Sequence, residues 1–162
     1  RQLYIGYDSA NEPVVMIPGN IFAGKLDVQK AHEYIEAYAG LYINDIYPIV
    51  ESGQKVRIGN DFPGEFTHSK YTQQLKKYRS LLNAKNQSLQ NIGEMIEIAT
   101  NRRWEPTKHS DNKDAKRGMY RYTTRFALPV KIQQGTLLML RSIRLIYSLG
   151  MLQMVKNIYM ML

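Results

Sequence analysis

The chain has no cysteine among its 162 residues, which removes disulfides, thiolate metal ligands and cysteine nucleophiles together. It also lacks the charged-then-apolar start of a signal peptide, a glycine-rich phosphate loop, a nucleophile elbow and any His-x-x-x-His pair. No thiol reports the redox compartment, and no motif points to a cofactor or a metal. Acidic residues are missing from one whole region, since none follows Asp114. The 14 acidic side chains before that point are matched by 14 basic ones. The net charge of +8 therefore rests on Lys116, Arg117, Arg121, Arg125, Lys131, Arg141, Arg144 and Lys156. A basic C-terminal third suits a polyanionic partner, although scattered charge also serves simply to solvate a surface.

The length fits one domain with a core of its own. The opening "LYIGYDSANEPVVMIPG" holds two short apolar runs around a polar turn, and residues 1–26 read as an extended lead-in or linker from a larger polypeptide. A helix is expected from about Val28 to Ala39, with Asp27 as cap, Gly40 as terminator, and Val28, Ala31, Ile35 and Tyr38 on one face. "DIYPIVESGQKVRI" reads as a hairpin about Ser52-Gly53. From about Lys70 to Arg103 the spacing of Leu82, Leu89, Ile92, Ile96 and Ala99 is helical, with a break at Asn83 or Gly93. Residues 105–118 form a polar loop. "MYRYTTRFALPV" alternates as a strand, placing Tyr120, Tyr122 and Phe126 inward and Arg121, Thr123 and Arg125 on an open face. The sum is an α+β domain over residues 27–135, with N-terminal helices packed on a small antiparallel sheet.

Residues 136–162 stand apart. Four of the eight methionines fall between Ser142 and Leu162, while Arg141, Arg144 and Lys156 interrupt the apolar run too often for a membrane span. Leu145, Leu149, Leu152 and Lys156 sit about one helical turn apart, as in an amphipathic helix that could rest on a membrane surface. With A/T-rich codons, a shifted reading frame of this segment spells an Asp-Gly turn followed by Tyr-Leu-Tyr-Asp, a more protein-like pattern than the one present. The tail is accordingly read as a frameshift product, which would leave the sheet with an unpaired edge beside the strand 119–128.

Chemistry-bearing side chains are few. His32 lies within the first helix and is set aside as structural. His68, in "GEFTHSKYT", stands with Lys70 where a helix is expected to begin, and Thr67 or Ser69 could cap it. Such a site could also hold an anion. His109 and Lys108 lie in the polar loop that feeds the Arg-bearing strand, with Lys116 and Arg117 close behind. Histidines with basic side chains suit metal-independent phosphodiester cleavage, in which a base takes a 2′-hydroxyl proton and an acid protonates the leaving oxygen. His68, His109, Arg121 and Thr123 are the catalytic candidates, and Lys70, Lys108, Lys116, Arg117 and Arg125 the phosphate-binding ones.

The runs "SGQKVRIGNDFPGEFTHSKYT", "NAKNQSLQNIGEMIEIATNRRW" and "KHSDNKDAKRGMYRYTTRFALPV" together resemble a domain of phage and mobile-element polyvalent proteins. Those domains are similar in layout to the barnase–EndoU–colicin–RelE nuclease group. The resemblance covers roughly residues 50–132. It implies an endoribonuclease of toxin or effector type, acting on RNA in a bacterial host cytoplasm or delivered from a virion, within a larger parent polypeptide and with an immunity protein as a partner. It equally implies a noncatalytic structural or nucleic-acid-binding module of the same parent proteins.

Overall fold

The computed structural model describes residues 5–19, 21–22, 28–68, 79–106, 119–132, 135–148, 151–154 and 159–161, with the backbone alone at residues 28–29 and 79–81 and from residue 130 onward. Its elements follow from local chemistry first. Strands β1 (Ile5–Tyr7) and β2 (Pro13–Met16) form an antiparallel hairpin. Their turn is tied by Asp8, whose Oδ1 accepts the amides of Ala10 and Glu12 at 2.9 Å, and Asn11 takes φ 60°. Helix α1 (Val28–Gly40) ends at the expected glycine and buries Ile35 and Ala39. Asp27, its expected cap, lies outside the described residues. Strands β3 (Ile46–Ile49) and β4 (Gln54–Arg57) make the expected hairpin, with Gly53 at φ +72° in its turn.

The middle of the chain adds one helix and corrects the end of another. Residues Phe62–His68 form a helix, α2, that was not expected, and the stretch after His68 where a helix was expected to begin lies outside the described residues. The Thr67 hydroxyl, within α2, donates to the Pro63 carbonyl one turn back, at 2.9 Å. The helical reading through Arg103 fails at its end. Helix α3 (Arg79–Ser88), a 3₁₀ turn (Leu89–Asn91) and helix α4 (Ile92–Glu97) give way to strand β5 (Thr100–Glu105). Asn101 at φ 62° cannot continue a right-handed helix, and the residues after it pair with the next strand.

Strand β6 (Met119–Ile132) is the axis of the sheet. One edge pairs along its whole length with β7 (Gly135–Ser148). The other edge is shared: β5 occupies the half from Met119 to Thr123, and β2 runs parallel beside Phe126 and Ala127. Beyond β7 lie β8 (Met151–Met154) and β9 (Tyr159–Met161), and β8 leads through a parallel pair with β4 to β3. The architecture is α+β, with a mixed rather than purely antiparallel sheet and with helices α3 and α4 in mid-chain. The expected helical tail and unpaired β6 edge are overturned for residues 135–148, which form the hairpin partner of β6. The segment 1–26, read as a lead-in, supplies two strands and the buried Val14, Val15 and Ile17. No helix among the described residues is long and apolar enough to cross a membrane.

The core joins these layers through Val15, Ile35, Ile49, Val56, Ile58, Phe62, Phe66, Leu89, Ile92, Met95, Ile96, Tyr122 and Phe126. Gly93, expected to break a helix, is instead where one fits tightly. A Cβ there would stand 2.4 Å from the Tyr47 ring, whose hydroxyl is tied to Asp45 at 2.9 Å. Gly93→Ala is expected to cost about 1–3 kcal/mol through displacement of that ring, despite the better helix propensity of alanine. Urea unfolding measures it, and an unchanged or higher midpoint would show that Tyr47 yields freely.

Candidate functional site

Strand alternation and register build the first candidate surface, at the Glu105–Met119 end of the β5–β6 ladder. Trp104 pairs with Tyr120 and Arg103 with Arg121, so the two pairs lie on opposite faces. On the first face the Arg102 guanidinium lies 4.0 Å from the centroid of the Tyr120 ring. The Trp104 ring meets the same tyrosine edge-to-face at 4.8 Å. Tyr120 is thus held by a cation and an aromatic edge, both favourable to its quadrupole. Further along this face Tyr122 and Phe126 are buried, while Trp104 remains 52 % exposed. The aromatic stripe therefore runs out of the core into solvent.

The second face was expected to present Arg121, Thr123 and Arg125 together. Arg121 and Thr123 remain partly exposed, and Arg121 forms an ion pair with Glu105 across the ladder. Arg125 is buried, which corrects its place on an open face. Its Nε donates to the Pro13 carbonyl at 2.9 Å and its Nη2 to the Thr100 hydroxyl at 3.0 Å, with Glu12 at 3.4 Å. The reason is the junction of β2 and β5 on one edge of β6, where Arg125 bridges both strands. Lys70, Lys108, His109, Lys116 and Arg117 lie outside the described residues.

The second candidate lies between α1 and α2, where the fold brings His68 to two side chains far away in sequence. His68 Nε2 is 3.2 Å from His32 Nε2 and 3.4 Å from Glu36 Oε2, and His32 is 3.8 Å from the same oxygen. His32 and Glu36 are one helical turn apart on α1, so both side chains project from the same face. His32 was expected to be structural, although the His32-x-x-x-Glu36 spacing is legible in the sequence. Helix α2 packs on α1 and beside β8, whereas Arg121 sits on the β5–β6 ladder. The grouping that forms around His68 is accordingly one with α1.

Beneath His68 lies a feature with no sequence signature. Lys85 of α3 is 3 % exposed, donates to the Phe66 carbonyl, and sits 4.1 Å above the Phe66 ring. Burial lowers its ammonium pKa to about 7, because water no longer stabilises the charge. It secures the last turn of α2 from the core side. Tyr42 acts similarly on the 3₁₀ turn, donating to the Leu89 carbonyl at 2.6 Å. Burial, then the nearby Tyr38, raises the Tyr42 pKa.

Comparison with known protein families, with curated proteins and with solved structures returned no match.

Proposed function

We propose that this chain is a noncatalytic nucleic-acid-binding module that takes single-stranded RNA on the exposed end of the β5–β6 ladder. The observation that carries the reading is the solvent-facing Trp104, braced by Tyr120 and flanked by Arg102. An unpaired base can stack on such a ring, and the arginines can reach its phosphates. A duplex offers no free base face, so single strands are preferred. The excess positive charge of the chain adds an attraction that weakens with salt. Residence in a larger phage or mobile-element protein belongs to the same proposal.

Cleavage finds less support among the described residues, and His109, the expected partner of His68, lies outside them. An acid and a base must reach opposite sides of a phosphate, each at about 2.6–3.2 Å from the atom it serves. His68 and His32 have their nitrogens 3.2 Å from one another, a spacing for sharing a proton or an ion rather than for straddling a phosphate. Arg121, one of the expected catalytic residues, is engaged with Glu105.

Trp104 is the only tryptophan in the chain, so its fluorescence reports directly on the surface. Titration with a single-stranded oligoribonucleotide is expected to quench it. Trp104→Ala, followed by anisotropy of a labelled strand, should weaken binding by about 1–3 kcal/mol, the typical worth of one stacked base. Arg102→Ala should weaken it and flatten the salt dependence. Equal affinity for duplex and single strand without quenching would remove the proposal, and shortening of the RNA during incubation would favour the nuclease.

A further inference from the structure

We propose that His32, Glu36 and His68 form a binding site for a divalent transition metal, best suited to Zn²⁺, that staples α1 to α2. The donor atoms are two imidazole nitrogens and one carboxylate oxygen, the borderline set that zinc accepts. Their separations of 3.2, 3.4 and 3.8 Å make a triangle whose centre lies about 2.0 Å from each corner, the usual Zn–N and Zn–O distance. Three donors are therefore spaced for one ion without rearrangement of either helix.

The surroundings are built for this. His32 and Glu36 are held in fixed relation by a single helical turn of α1. His68 occupies the last turn of α2, where the helix carbonyls present their negative end to a cation. That last turn is held from within by Lys85 on the Phe66 carbonyl and by Thr67 on the Pro63 carbonyl. His68 is 58 % exposed, which gives an ion its path in and leaves room for water in a fourth position. The two rings, 4.5 Å apart at their centroids, gain little by contact alone, whereas an ion between their nitrogens would use both. Because the ligands come from two separate helices, binding couples the ion to the packing of α1 against α2.

The experiment is a calorimetric titration of the chelator-stripped full chain with ZnCl₂, with Co²⁺ absorption as an independent view of the coordination. One ion per chain is expected, with a raised unfolding temperature and a Co²⁺ spectrum of low-coordinate nitrogen and oxygen type. His68→Ala and Glu36→Gln change exposed side chains and should fold normally by circular dichroism, yet weaken Zn²⁺ binding by at least about 100-fold, the upper range for loss of even an outer-shell partner. His32→Ala should do the same, and His109→Ala should change nothing. The proposal is overturned if the intact chain binds no Zn²⁺, if binding survives in the His32→Ala/His68→Ala double variant, or if His109→Ala abolishes it.

Discussion

Phe126→Ala is expected to destabilise the domain by about 3–5 kcal/mol, the cost of emptying a fully buried aromatic site. Phe126 is 0 % exposed in the middle of β6, opposite Val15 of β2 and opposite Arg141 of β7. Its side chain belongs to the cluster that unites the helices with the sheet, so the void cannot be filled by movement of one loop. A loss of that size is about a fifth or more of the stability of an ordinary domain. Guanidinium unfolding should show a much lower midpoint with little change in slope. Phe126→Leu, which keeps most of the volume, should cost under about 1.5 kcal/mol. A loss below about 1 kcal/mol for the alanine variant would mean that β6 is not the axis of the core.

The second large effect concerns pH. Lys85 has an ammonium pKa of about 7 in the folded chain against 10.5 when solvated. Between those values the unfolded state binds the extra proton, so stability rises with pH, at up to about 1.4 kcal/mol per unit. The gain is complete above pH 10.5 and is lost as pH falls through about 7. Tyr42 acts in the opposite sense. Its folded pKa is raised above 10.0, so the unfolded state loses that proton first and stability declines in strong alkali. Urea midpoints should therefore climb from neutral pH to a maximum at about pH 10.

Lys85→Met tests the assignment. It replaces a buried cation by an apolar chain of similar length and should be more stable than the parent near pH 6 by a few kcal/mol. At pH 10 the order should narrow or reverse, because the neutral amine still donates to the Phe66 carbonyl and methionine cannot, a loss of about 1 kcal/mol. A parallel pH dependence in both proteins would show that Lys85 is not the group responsible. The same variant should loosen the last turn of α2 and, with it, the position of His68.

Local chemistry determined a good part of this protein. Helix α1, the turn at Gly53 and the alternation of β6 were legible because each depends on neighbours in sequence: a terminating glycine, a positive φ that glycine adopts freely, and a period of two. The tertiary structure decided the remainder wherever a segment could satisfy two periods. The helical reading ran on to about Arg103, yet the first half of β6 required a partner on that edge, and Thr100–Glu105 supplied it. The Leu- and Met-rich stretch after Gly135 suited a helix or a strand equally, and thirteen residue pairs with β6 settled it as β7.

The candidate sites divide in the same way. Arg121 and Thr123 stay partly exposed, as strand alternation required, but alternation could not reveal that β2 and β5 meet over Arg125 and bury it. The exposure of Trp104, at a position that strand alternation puts on the same face as the buried Tyr122, is not encoded by any local pattern. His32 and His68 are 36 residues apart and carry no shared motif. Only the packing of α2 on α1 sets their nitrogens 3.2 Å apart, because contacts between distant segments arise from burial of both apolar faces at once and not from either segment alone.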